Sequence, residues 1–64
     1  MKKYFKKEKP SDRQITGIKT TESHYPEIGV FQIFDNGNED VYIPANDDIE
    51  KLINIDYWFE VPQK

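Results

Sequence analysis

The stretch FDNGNEDVYI, residues 34–43, decides how this chain of 64 residues folds. Asn36-Gly37 supplies the positive backbone angles that a tight hairpin turn demands, so the segment reads as two strands meeting at a turn. GVFQIF (29–34) before it and DVYI (40–43) after it are rich in β-branched and aromatic residues, which suit a pleated surface. Two registers compete. A two-residue loop at Asn36-Gly37 pairs Phe34 with Glu39 and Phe31 with Tyr42, leaving apolar residues on both faces. A loop one residue longer sets Phe31 opposite Ile43 and gathers Phe31, Ile33, Val41 and Ile43 on one face, because a one-residue slip flips a strand's whole set. Turn chemistry favours the first, which is the expected register if the sheet curls and covers both faces.

After Pro44, ANDDIEKLIN (45–54) reads as a short helix. Asp47 is placed to cap it with Glu50 three residues on, Asp48 and Glu50 suit the positive end of the dipole, and Ile49, Leu52 and Ile53 share one face. Two turns of helix do not hold alone in water, so it must lie on the sheet. IDYWFEV (55–61) alternates Ile55, Tyr57, Phe59 and Val61 against Asp56, Trp58 and Glu60, a half-buried last strand ended by Pro62.

Upstream, RQITGIKTT (13–21) reads as a first strand, with a bulge at Gly17 needed to bring Ile15 and Ile18 to one face. ESHYPEIG (22–29) is the connecting loop, since Pro26 donates no ladder bond. The order is β-β-β-α-β: an α+β class, a small curled antiparallel sheet with one short helix, over residues 13–64. An SH3-like small barrel is the alternative, on element order alone. Residues 1–12, with apolar side chains only at Met1, Tyr4 and Phe5 and a break at Pro10, read as a basic arm, flexible unless Tyr4 and Phe5 dock.

Size limits what such a chain does. A domain this short buries about 60% of the surface its unfolded form exposes, which leaves little room for a substrate cavity. There is no cysteine to staple it or hold a metal by thiolate. Nine aromatic side chains argue against disorder. No apolar run reaches the length of a membrane span and no apolar stretch follows MKKYFKK, so no membrane partner is expected and the cytoplasm is the default location.

Catalytic parts are missing. The single histidine, His24, adjoins Ser23 with nothing to orient its imidazole, so no enzyme is expected. DNGNED (35–40) has the composition of a calcium loop without its spacing, and Gly17, Gly29 and Gly37 are too scattered for a phosphate loop; neither metal nor cofactor is expected.

Charge carries what signal remains. Residues 1–13 bear a net charge of +4, whereas residues 14–64 bear −7. Asp35, Glu39, Asp40, Asp47, Asp48 and Glu50 lie in a run without a basic residue. Each has a local reason, in turn, strand end or helix cap, but together with Trp58 they outline a candidate acidic, aromatic-bearing surface. The expected function is a non-catalytic small binding module acting by protein–protein contact through that surface, an inhibitor or adaptor of a basic, nucleic-acid-handling partner of the kind that phages and mobile elements carry. A homodimer, with the arm of one copy on the acidic body of another, is a variant. The alternative is a nucleic-acid-binding SH3-like or OB-like module using the basic arm through Lys2, Lys3, Tyr4, Phe5, Lys6 and Lys7.

Overall fold

The structure, a computed structural model, describes residues 1–62; Gln63 and Lys64, the end of the expected domain, lie outside the described residues. Five strands, β1 (Ile15–Thr20), β2 (Glu27–Ile33), β3 (Glu39–Ile43), β4 (Asp48–Lys51) and β5 (Ile55–Glu60), form one sheet in the order β4-β3-β2-β1-β5, and every neighbouring pair is antiparallel. A single 3₁₀ turn, Leu52–Asn54, joins β4 to β5 and is the only helical element among the described residues. The fold is therefore an all-β small domain, consistent with the SH3-like alternative and not with an α+β class.

The expected helix at 45–54 is overturned by the turn before it. Asn46 and Asp47 donate their N–H groups to the carbonyls of Ile43 and Pro44, and Asp47 takes a left-handed φ of 53°. A helix cap needs an extended backbone, so Asp47 cannot cap; it reverses the chain instead. The next four residues then pair with β3, with Ile49 opposite Tyr42 and Glu50 opposite Val41.

The hairpin forms where expected but in neither register weighed from the sequence. Phe31 faces Val41 and Ile33 faces Glu39, so the loop is Asp35-Asn36-Gly37. Gly37 donates to the Phe34 carbonyl and Phe34 to that of Asn38, each at 2.8 Å. Gly37, at φ 88°, closes this three-residue loop from its last position, a place as dependent on positive φ as the centre of a two-residue turn. Phe31, Val41 and Ile43 consequently share the core face.

Two further expectations shift by one residue. No bulge occurs at Gly17: Ile15 to Ile18 pair continuously with Val30 to Glu27, so Thr16, Ile18 and Thr20 point inward while Ile15 is left on the outside. The irregularity falls on β5 instead, where Thr20 faces Ile55 and Lys19 faces Tyr57, leaving Asp56 as the extra residue. That bulge inverts the strand's phase, so Ile55 and Trp58 enter the core and Tyr57 and Phe59 turn outward. The core is Ile18, Phe31, Val41, Ile43, Ile55 and Trp58, with Phe5 and Leu52 packed against it. Buried Thr16 is satisfied by donating to the Gly29 carbonyl at 3.0 Å.

The N-terminal arm runs along β5 and over the open side of this core. Lys3 and Trp58 exchange main-chain hydrogen bonds, Lys7 and Glu8 donate back to the Tyr4 carbonyl to form a turn, and Pro10 is buried. Phe5 stacks on Phe31 at 5.8 Å between ring centres and lies 6.1 Å from Trp58. Arg13 and Gln14 then extend the pairing of β1 against Phe31.

Candidate functional site

Register determines which side chains face outward, because residues directly opposed across an antiparallel pair share a face and neighbours along a strand do not. Opposite the core face, Ile15, Val30, Tyr42 and Ile49 form one unbroken row across four strands. Beside it, Ile28 and Phe59 flank Gly17, and Tyr57 faces Lys19. Ile15, Ile28 and Ile49 are 43%, 50% and 55% exposed, and Val30, Tyr42, Tyr57 and Phe59 are half-buried. Phe59 covers Gly17, where a Cβ would come within 2.2 Å of the far end of its ring. These residues were not singled out from the sequence. The sequence alone places Ile49 on a helix, and the alternation of IDYWFEV sends Tyr57 and Phe59 inward; the bulge at Asp56 that reverses them leaves no mark in composition.

The six carboxylates do not form one field. Asp35 sits in the hairpin loop with Glu39 and Asp40 behind it, whereas Asp47 and Asp48 lie at the other end of β3, roughly 14 Å away along the strand. Glu50 points to the core side of β4, where it accepts a hydrogen bond from Asn54 at 2.9 Å. Glu39 is ion-paired with Lys9 at 2.8 Å, and Asp47 accepts from the Tyr42 hydroxyl at 2.7 Å. Asp40 lies in the outer row next to the apolar one, opposite Gln32 and Lys51, yet its Oδ1 is buried without a hydrogen bond, and burial lifts its carboxyl above the usual aspartate range. Trp58, placed on the acidic surface by alternation, is 3% exposed, with its indole N–H donating to the Glu8 carbonyl. It is a core residue and no surface anchor.

The basic arm is largely spent within the chain. Lys3 binds Glu60 at 2.6 Å and Glu8 at 3.6 Å; the hydrogen bond raises the lysine and lowers the glutamate from their ordinary values. Lys2 lies over the Tyr57 ring at 4.6 Å. Lys6 and Lys7 make no ion pair among the described residues, and Tyr4 is half exposed where Phe5 docks. The Ser23 hydroxyl donates to the Tyr25 carbonyl and accepts from its N–H, so it is committed to the main chain and not to His24. Among the described residues no three of His, Cys, Asp or Glu come together as metal ligands, and no helix is long and apolar enough to cross a membrane. Comparison with protein-family models, curated proteins and solved structures finds no significant match.

Proposed function

We propose that the protein is a non-catalytic binding module, an inhibitor or adaptor on an SH3-like barrel, that holds a protein partner on the outer face of its sheet. The observation that carries this reading is the row Ile15–Val30–Tyr42–Ile49, apolar across four strands where an antiparallel sheet ordinarily turns polar residues to water. Contiguous apolar surface of this kind marks an interaction site. Scale agrees: a standard interface takes about 800 Å² from each partner, roughly one face of a body whose whole surface is 4855 Å². Asp40 beside the row and Asp47, bonded to the Tyr42 hydroxyl at its β4 end, favour a partner with basic residues around an apolar centre. Nucleic acid is disfavoured, since Lys3 and Lys9 are paired internally and the rest of the chain is strongly acidic.

Capture from the native cell extract at low and high salt, with bound protein and nucleic acid both identified, tests this when run beside Ile28→Asp and Ile49→Asp. The expected result is a protein retained by the wild type, released by salt and lost with either variant. Retention of nucleic acid, unaffected by the two substitutions, would refute it.

A further inference from the structure

The second surface lies on the opposite side of the molecule, between the arm and the 3₁₀ turn. Phe5, Leu52 and Ile53 floor a groove of about 420 Å³ whose rim carries Lys6 and Lys9. Ile53 is 85% exposed there, an aliphatic side chain on the 3₁₀ turn that does not pack against the core. An adjoining hollow of about 260 Å³ shares this floor and continues past Tyr4 to Asp56. Asp56 is answered by Lys19 at 3.7 Å and Lys9 by Glu39, while Lys6 has no carboxylate partner among the described residues. The groove is thus aliphatic along its floor with an unanswered cation at its edge, the reverse of the acid-margined sheet face.

From this we infer that the groove docks an acidic peptide segment of a partner, one that lays an aliphatic side chain against Leu52 and Ile53 and sets a carboxylate beside Lys6. Charge selects the acid, and the floor selects the aliphatic anchor. A nucleobase in the groove would need a free π-face, but Phe5 is already packed against Phe31 and Trp58, Leu52 and Ile53 have none, and the Tyr4 ring lines only the adjoining hollow. The inference is independent of the reading of the outer face and fails separately from it.

The test is a titration of the full ¹⁵N-labelled chain with a capped peptide that holds two adjacent leucines between flanking glutamates. Saturable shifts are expected at the amides of Lys6, Leu52 and Ile53. Ile53→Asp, which removes no core contact, abolishes them, and Lys6→Glu weakens binding about five-fold at low salt, the scale of one exposed ion pair. Ile49→Asp on the outer face leaves the titration unchanged. Equal binding of a peptide with serines for the leucines, or wild-type affinity in Ile53→Asp, overturns the inference. So does displacement of the peptide by a single-stranded oligonucleotide at the same amides. Concentration-dependent shifts there without peptide overturn it as well, since the occupant would then be a second copy of the chain.

Discussion

Lys3 and Trp58 exchange both main-chain hydrogen bonds, each at 2.8 Å, so one residue of the arm pairs as a strand would with the outer edge of β5. An edge strand left open is a template for unwanted pairing, and here the chain covers its own. The contact also fixes where the arm goes next. The turn at Tyr4 drops Phe5 onto Trp58 and Phe31, and the Glu8 carbonyl arrives where the indole N–H needs an acceptor. A core of six buried hydrophobic residues is small, and the arm closes the side of it that the sheet leaves open.

Deleting residues 1–9 is therefore expected to expose Trp58 and destabilise the fold by about 3 kcal/mol, the scale of uncovering two large aromatics. Phe5→Ala alone costs about 2 kcal/mol, because the ring is only half-buried. Urea denaturation measures both, and a red shift of Trp58 emission reports the deletion. Unchanged emission would show that the arm does not cover the ring.

The two strand glycines differ in what an added methyl group meets. At Gly29 a Cβ would stand 2.5 Å from Cγ1 of Val41, a fully buried branched side chain with no room to move. At Gly17 it would strike Phe59, whose ring can swing toward solvent on the outer face. Gly29→Ala is expected to cost about 2–3 kcal/mol and Gly17→Ala about 1 kcal/mol. Thermal unfolding ranks them, and equal or reversed losses would contradict the packing described.

Two carboxylates should titrate with opposite consequences. The hydrogen bond and charge of Lys3 hold Glu60 below the usual range. Its contribution is complete above the unfolded glutamate value of about 4.3 and is lost as pH falls through the lower folded value. Lys3 is raised by the same bond, so its share persists until pH rises beyond the ordinary lysine value. Asp40 runs the other way. Burial raises its pKa, so stability is greatest below the unfolded aspartate value of about 3.9 and declines as pH rises through the folded one. Asp40→Asn, which removes the charge and keeps an oxygen in place, is expected to stabilise at pH 7, and the gain should vanish near pH 3. Glu60→Gln should destabilise at pH 7, by a margin that shrinks as pH falls through the lowered Glu60 value. Urea midpoints across that range decide both.

The strands β1, β2, β3 and β5 are legible in the sequence because each carries several β-branched or aromatic residues; β4 is not. Asp48–Lys51 holds one apolar residue, and Ile49, Leu52 and Ile53 fall at helical spacing only because a strand gives way to a 3₁₀ turn between them. What turns the segment into a strand is the free edge of β3, a tertiary demand that local propensity does not express. The candidate surface was hidden for the same reason. Whether Tyr57 or Trp58 faces out depends on the bulge at Asp56, and whether Ile15 or Thr16 does depends on pairing with β2. Charges that the sequence divides between a basic arm and an acidic body meet within the molecule at Lys3–Glu60 and Lys9–Glu39.

Arg13 supplies the last prediction. It holds φ at 67°, a left-handed conformation that brings the β-carbon of any residue but glycine too close to the neighbouring carbonyl, at about 1–2 kcal/mol. The conformation is imposed from both sides. Arg13 donates its N–H to the Phe31 carbonyl at 2.7 Å, and Asp12 accepts from the Ile33 N–H at 2.9 Å, so the arm can join β1 only through this bend. The Arg13 side chain is exposed and makes no ion pair among the described residues, so little is lost on removing it. Glycine relieves the strain but gives up part of the gain to a more flexible unfolded chain. Arg13→Gly is accordingly expected to stabilise the fold by about 0.5–1 kcal/mol, whereas Arg13→Val, β-branched and intolerant of positive φ, should destabilise it by at least as much. Urea denaturation of the two variants gives the sign directly, and a destabilised Arg13→Gly would mean that the guanidinium does more than the bend requires.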